Sequence, residues 1–225
     1  MARHVQIVLS NPVSADRDRE FNDWYSQQHI PDLMRLPGFM AAQRYRLSLA
    51  FAGRVPWSHA VLYDLECEDL GTMLTELVDA HGDGRIAVSD VLDPASLTAL
   101  VFSPLGGFQG VPGRRRQVFA ALSRPAAGQE AEFNRWYDGR HVPDVIRVPG
   151  IFGAARYRLA TGFLDPLGGG QDHLALYDVD SEDLGGLAAQ LRADVRSGRT
   201  QMSDAIDTRA LTAFFLEPIG PAFTR

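Results

Sequence analysis

The sequence predicts an α+β protein: two similar tandem βαββαβ units in one chain, packed sheet to sheet as an intrachain pseudo-dimeric α/β barrel. Three observations lead to this fold class. A long segment occurs twice in the 225 residues, both copies have the same order of strand and helix patterns, and one copy alone would leave a sheet face uncovered. We expect the units at residues 1–110 and 111–225.

The internal repeat is the strongest of these observations. Residues 20–47 and 132–159 are identical at 16 of 28 positions without a gap. The match resumes in two further pairs of segments, 59–71 with 173–185 and 85–106 with 199–220. Similarity along most of both halves indicates a duplicated module, and the Gly- and Arg-containing segment Gly106–Arg116 is the expected junction.

Each unit opens with a strand pattern followed by a helix pattern. The strands are expected at His4–Leu9 and Gln117–Leu122, and the helices at Asp16–Gln28 and Gln129–Arg140. Pro31 and Pro143 come shortly afterwards. Because proline lacks an amide donor and clashes with the preceding turn, we expect each helix to break or kink after His29 and His141.

The second part of each unit begins at a Pro-Gly pair, which indicates a turn into a long extended segment. That segment and the next strand are expected to form a hairpin, followed by a second helix and a last strand. The expected elements are Phe39–Ala50, Ala60–Leu65, Glu68–Ala80 and Leu97–Phe102, and in the second unit Ile151–Ala160, Leu174–Val179, Glu182–Val195 and Leu211–Leu216. The order β-α-β-β-α-β is the ferredoxin-like plan, an antiparallel sheet with two helices on one face. Pairing of the two bare sheet faces within the chain is favoured over two independent units on a linker.

Composition excludes several classes of protein. All 22 basic residues are arginine, and Schiff-base catalysis, lysine-anchored pyridoxal phosphate and a Walker-type phosphate loop each need a lysine. The net charge is −6 and the one basic run is Arg114–Arg116, so no nucleic-acid partner is expected. Cys67 is the single cysteine and Ser181 stands at the equivalent position, so no internal disulfide or shared thiol chemistry is indicated.

Hydropathy predicts a protein outside the membrane. No apolar run approaches the roughly 18 residues that a membrane-spanning helix needs. The first residues, MARHVQIVLSNP, lack the basic-then-apolar layout of a signal peptide. A cytoplasmic location is therefore the default expectation.

The densest motif shared by the two halves is W-Y-x-x-H-x-P-D-x-x-R-x-P-G, at Trp24–Gly38 and Trp136–Gly150. With this motif the sequence resembles the EthD-like members of the dimeric α/β-barrel superfamily, and the resemblance covers most of both halves. It implies the ferredoxin-like barrel and a histidine at the end of the first helix, facing a pocket between helix and sheet. Related barrels include cofactor-free monooxygenases, lactone isomerases, dehydratases, decarboxylases and haem enzymes, so the resemblance selects no reaction. Most such proteins are single units that dimerise, and fusion leaves the two pockets of this chain free to diverge.

The candidate catalytic residues are His29, His141, Tyr25 and Tyr137. Imidazole suits proton transfer because its ordinary pKa lies near neutrality, whereas the alternative role is to cap a kinked helix end. Each tyrosine precedes its histidine by one helical turn, so its hydroxyl is placed to hydrogen-bond a carbonyl or enolate oxygen.

Further candidates for substrate binding occur in both halves, and each has a structural alternative. They are Trp24 and Trp136, Asp32 and Asp144, Arg44 and Arg156, and His59 and His173. The tryptophans stack on substrate or pack in the core, and the aspartates orient the imidazole or cap the next turn. Arg44 shares a strand face with Arg46, and Arg156 with Arg158, and these arginines anchor an anion or form structural ion pairs. The strand histidines, which share a face with Tyr63 and Tyr177, line the pocket or belong to the core.

Cofactor-independent acid/base chemistry on a small, apolar or aromatic carbonyl- or phenol-bearing substrate is the leading hypothesis. It covers isomerases, dehydratases, decarboxylases and cyclases. The alternatives are a cofactor-free monooxygenase and a non-catalytic ligand-binding or accessory protein. No metal is expected, because no H-x-x-x-H, H-x-H or C-x-x-C spacing occurs, and no cofactor is expected either. Whether the pseudo-dimer pairs again into a homodimer stays open.

Overall fold

The computed structural model describes residues 1–111, 116–164 and 170–225, without the side chains of residues 163 and 164. Part of the expected junction, with Arg114 and Arg115 of the basic run, lies outside the described residues. The strands are β1 Ala2–Ser10, β2 Phe39–Ala52, β3 His59–Cys67, β4 Thr98–Pro104, β5 Gln109–Gly110, β6 Gln117–Ser123, β7 Ile151–Leu164, β8 His173–Val179, β9 Thr212–Pro218 and β10 Phe223–Thr224.

Within the described residues, eight long strands form a closed antiparallel barrel. Its order is β2-β3-β1-β4-β7-β8-β6-β9, and β9 pairs back with β2. Each half therefore contributes four strands in the order second, third, first, fourth. The expected hairpins are confirmed, since β2 pairs with β3 and β7 with β8.

From the sequence we expected the two sheets to pack face to face. In the structure they are also joined edge to edge by hydrogen-bonded ladders. β4 pairs with β7 and β9 pairs with β2, so both seams between the halves are continuous sheet. Closure satisfies the backbone groups that edge strands would otherwise leave unpaired. The sequence did not predict the two short strands, each of which pairs with a long strand of the other half: β5 with β7, and β10 with β2.

The α-helices of the described residues lie outside the barrel, where three from each half cover its outer face. They are α1 Asp18–Trp24, α2 Ile30–Leu33, α3 Leu70–Gly82, α4 Glu130–Trp136, α5 Val142–Val145 and α6 Leu184–Ser197. Pro-Gly turns lead from α2 and α5 into the hairpins. Gly38 and Gly150 have φ values of +93° and +97°, which only glycine adopts readily.

The backbone of the first helix of each half stays helical through its histidine, so the expected break after His29 and His141 is not found. A π-helical turn, Tyr25–His29 in the first half and Tyr137–His141 in the second, joins α1 to α2 and α4 to α5. The amide of Ile30 donates to the Tyr25 carbonyl, five residues back. Pro31 then falls in the first turn of α2, where its missing amide and fixed φ are tolerated. Such π turns are frequent at functional sites.

Three apolar cores hold these layers together. The barrel interior contains side chains of both halves, among them Ile7, Phe102, Leu176 and Phe214. One further core lies between helices and sheet in the first half and another in the second. The shared interior means that neither half has a complete core of its own. Among the described residues, no helix combines the length and apolar character needed to cross a bilayer.

Candidate functional site

A cavity lies between the helices and the outer sheet face in each half. The first has a volume of about 520 Å³ and the second about 330 Å³. Several lining residues occupy equivalent positions in the repeat: Tyr25 and Tyr137, His29 and His141, Tyr63 and Tyr177, Leu77 and Leu191, and Ala99 and Ala213. The structure therefore brings the predicted catalytic histidines and tyrosines together in both halves.

The π turn places each histidine beside the aromatic residues of its own helix. The His29 ring centroid lies 4.7 Å from that of Trp24 and 5.0 Å from that of Tyr25. His141 has the same surroundings, 4.7 Å from Trp136 and 4.9 Å from Tyr137. The Nδ1 atom of each imidazole is buried and has no hydrogen-bond partner among the described residues. Each cavity is thus lined by a histidine with one ring nitrogen that is unpaired within the described residues.

Burial keeps both imidazoles uncharged. It lowers the pKa of His29 to about 3, with the neighbouring His81 ring adding to the effect and the Ala87 carbonyl opposing it. Burial also lowers the pKa of His141 to about 4, against the attraction of Asp144. Neutral imidazole accepts a hydrogen bond or a proton, so at pH 7 both rings are in the basic form.

The tyrosines remain hydroxyl donors at neutral pH. Burial raises the pKa of Tyr25 to about 12 and that of Tyr63 well above its ordinary value. In the second half it raises the pKa of Tyr137 and of Tyr177 in the same way. The buried hydroxyls of Tyr63 and Tyr177 lie next to Tyr25 and Tyr137 but form no aligned hydrogen bond within the described residues.

Arg44 and Arg156 lie beneath the first helix of each half, outside the barrel interior and outside the cavity walls. Arg44 donates to the Ser26 hydroxyl at 2.7 Å and to the Asn22 side chain at 2.7 Å. Arg156 instead lies 2.9 Å from a carboxylate oxygen of Asp138 and donates to Asn134. The arginines therefore hold the helix to the sheet, and in the part of the chain that the structure describes an ion pair with a carboxylate is found for Arg156 alone.

His59 and His173 share a strand face with Tyr63 and Tyr177, as expected, but they do not line the cavities. Each packs on a helix phenylalanine, Phe21 or Phe133, with ring centroids 4.9 Å apart. His59 lies 3.4 Å from a carboxylate oxygen of Asp18, and His173 lies 2.7 Å from one of Asp172. The structure favours the core role for both.

Asp32 and Asp144 do not orient the imidazoles. Their carboxylates pair instead with Arg35 and Arg147, three residues further along the chain. The Asp144 carboxylate also accepts the amide of Gln201, from the loop that follows α6. Within the described residues, neither carboxylate is found hydrogen-bonded to an imidazole or to an amide of the following helical turn.

The tryptophans differ between the halves. Trp24 lines the first cavity, and its buried indole nitrogen has no partner among the described residues. Trp136 does not line the second cavity, because its indole donates to the Gln201 carbonyl at 2.9 Å. Substrate stacking is therefore open to Trp24 only.

Sequence reasoning missed the residues that make the cavities different. Gln6 and His81 line the first cavity where Phe119 and Val195 line the second. The second cavity also has Arg192 and Arg196 at its mouth. These positions differ between the repeats, so a search for shared residues passed over them. The helical spacing of His81 from Leu77 is the signal that would have placed it on the cavity wall.

Among the described residues, no group of three or more His, Cys, Asp or Glu side chains is arranged to hold a metal ion. The free Cys67 is partly buried at the end of β3.

Comparison with solved structures shows the fold. A protein from Fusobacterium nucleatum subsp. nucleatum, provisionally named a monooxygenase, has a TM-score of 0.57 at 10% identity, over 100% of this chain and 98% of that one. An anthrone oxidase-like protein has a TM-score of 0.55 at 10% identity, over 99% and 93%. A protein provisionally named a chlorite dismutase has a TM-score of 0.53 at 14% identity, over 98% and 96%. No family model and no curated protein sequence matches the chain. The chain thus has the dimeric α/β-barrel fold, and at these identities the likeness concerns the fold alone.

Proposed function

We propose that the chain is a cofactor-independent enzyme that moves a proton on a small, largely apolar substrate bearing a carbonyl or phenol oxygen. We also propose that it is a tandem duplication of a ferredoxin-like, EthD-like unit, with units at residues 1–110 and 111–225. One observation carries the functional proposal: in both halves a buried, neutral histidine and two tyrosines line the same apolar cavity.

In this scheme His29 and His141 take the proton and Tyr25 and Tyr137 stabilise the oxygen that gains negative charge. The low histidine pKa values make these rings weak bases. They suit substrates whose C–H or O–H proton is already acidic because it is conjugated with a carbonyl group or an aromatic ring. The apolar walls exclude water and strengthen each hydrogen bond to the developing anion. Isomerisation, dehydration, decarboxylation and cyclisation all include such a step.

The test measures proton transfer directly. β-Tetralone, an aromatic ketone with acidic C–H bonds, is incubated with the protein in D2O, and deuterium incorporation is followed by NMR. Loss of a general base typically costs about 10²–10⁴-fold in rate, so His29→Gln with His141→Gln should bring exchange close to the uncatalysed rate. His4→Gln is the matched control, because His4 lies on β1, bonded to Ser103 and away from both cavities.

Unchanged exchange in the double variant, with its fold intact by circular dichroism, would rule out the histidine scheme. Saturable binding of the fluorescent phenol β-naphthol without exchange of any ketone would point instead to a non-catalytic binding protein. The single variants show whether one cavity or both are active.

A cofactor-free monooxygenase is the second candidate, favoured by the names of two structural neighbours, the monooxygenase-like and anthrone oxidase-like proteins. The same histidine would deprotonate the substrate, and the resulting carbanion would reduce dioxygen. One oxygen atom would then enter the substrate as a carbonyl and the other would leave as water. Consumption of one dioxygen per anthrone, lost in the histidine double variant, would support this reaction over an isomerase or lyase.

A further inference from the structure

The wall that the sheet contributes to each cavity, here called its floor, has a different residue on its middle strand in each half. Gln6 on β1 lies opposite Tyr63 of β3 and Val101 of β4 in the strand register. The equivalent residue of the second half, Phe119, lies opposite Tyr177 and Phe215. One floor therefore has glutamine between a tyrosine and a valine, and the other has phenylalanine between a tyrosine and a second phenylalanine.

The Gln6 side chain lines the first cavity, although the residue as a whole is only 3% exposed. Its amide oxygen and nitrogen are not among the described side-chain atoms that are buried without a partner, and no hydrogen bond joins them to another described residue. A primary amide offers two donors and one acceptor, and a molecule in the cavity can pair with them. The adjacent Tyr63 hydroxyl lacks an aligned partner too. The floor thus offers both a hydrogen-bond donor and an acceptor. They belong to the sheet, whereas the His29 imidazole belongs to the helix on the other side of the cavity.

The second cavity has no such group at its floor. The Phe119 ring stacks on Phe215 with centroids 4.6 Å apart and packs against Tyr177 at 5.6 Å. Phe51, from the end of β2, packs against the same ring at 5.2 Å. These rings fill space that stays open in the first half, in keeping with the smaller volume of the second cavity.

We propose that Gln6 is a specificity-determining residue: it makes the first cavity selective for a flat aromatic ligand with two oxygen substituents. One substituent meets His29 and Tyr25 on the helix side, and the second meets the Gln6 amide at the floor. The second cavity takes ligands with one oxygen substituent, because Phe119 offers nothing to a second. This inference rests on the ligand-binding part of the proposed function and is independent of proton transfer.

The test compares β-naphthol with naphthalenediol isomers, using one NMR reporter in each cavity. The Trp24 indole signal reports the first cavity and the Met202 methyl signal the second. One neutral hydrogen bond to a buried group corresponds to about five- to tenfold in affinity. The best diol isomer should therefore bind the first cavity about five- to tenfold more tightly than β-naphthol, and the second cavity no more tightly.

A reciprocal exchange supplies the matched variants. Gln6→Phe should remove the diol preference at the first cavity, and Phe119→Gln should create one at the second. Gln6→Leu removes the amide without adding a ring, so it separates the loss of the hydrogen bond from the loss of space. In each Gln6 variant, unchanged β-naphthol binding at Met202 shows that the protein is folded.

The outcomes separate the two proposals. If both cavities bind β-naphthol and no diol is preferred at the first, or if Gln6→Leu keeps the preference, the role of Gln6 is refuted and the proposed function stands. If neither reporter responds to any probe, the proposed ligand-binding function is itself refuted, and the inference falls with it.

Discussion

Acid should destabilise this fold through histidines that are buried without charge, and replacing His29 should remove part of that sensitivity. The His29 ring packs against Trp24, Tyr25 and the His81 ring, whose centroid lies 6.2 Å away. Its pKa is about 3 in the folded protein against an ordinary value of 6.5. Below pH 6.5 the unfolded chain binds a proton that the folded protein does not, so stability is lost as the pH falls towards 3.

The size of the effect follows from the gap between those two values. Each pH unit within the window changes the free energy of unfolding by about 1.36 kcal/mol per histidine. From pH 6.5 to pH 5, where the ring is still neutral in the fold, His29 alone accounts for about 2 kcal/mol. His141 and His59, with pKa values of about 4, act in the same direction over this interval.

The assay is urea unfolding of wild type and His29→Gln at pH 7.5 and pH 5. Glutamine is polar, of similar size and does not titrate in this range. For each protein the free energy of unfolding at pH 5 is subtracted from that at pH 7.5, so a change in stability that is the same at both pH values cancels. We expect that loss to be about 2 kcal/mol smaller in His29→Gln than in wild type.

Equal losses in the two proteins would refute the reasoning. They would mean that His29 takes up a proton in the folded protein as readily as in the unfolded chain. The neutral buried base on which the proposed mechanism depends would then be absent at this site.

Three further predictions concern the polar contacts and the shared core. Tyr63→Phe should leave the unliganded protein as stable or up to about 1 kcal/mol more stable by urea unfolding, because it removes a buried hydroxyl without an aligned partner. Asp138→Ala should lower the free energy of unfolding by about 3 kcal/mol, because it leaves the buried Arg156 guanidinium without its carboxylate. Ser26→Ala, which removes a neutral partner of Arg44, should lower it by about 1 kcal/mol. Equal losses in the two variants would contradict this reasoning. Phe102→Ala should cost about 3–5 kcal/mol and lower one calorimetric transition for the whole chain, whereas two separate transitions would show that the halves do not share a core.

Sequence pattern predicted the order of the secondary structure and the histidine–tyrosine pairs correctly. Local signals decide these features: the period of apolar residues, the Pro-Gly turns and the spacing of Tyr25 and His29 on one helix. The π turn escaped prediction because a proline normally ends a helix, and only packing against the sheet shows that the chain continues through Pro31.

The repeat also favoured residues that both halves share as candidate site residues, and several of these do not line a cavity. Arg44, Arg156, His59 and His173 occur in both halves, yet they hold the first helix to the sheet and lie outside the cavities. Gln6 differs between the halves and lines a cavity. Residues that the common architecture needs are among those that both repeats share, so identity between the repeats marks packing as readily as function.

By itself, the sequence determined the internal repeat, the strand and helix order and the aromatic helix that carries each histidine, because the last two depend on contacts close along the chain. Tertiary structure decided how the halves join, with β2 on β9 and β4 on β7, and which side chains face the cavities. Those features depend on the sheet twist and on contacts between residues far apart along the chain, such as Phe51 and Phe119 across the two halves. Local pattern carries no information on such distant pairings, and they determine the volume and polarity of each site.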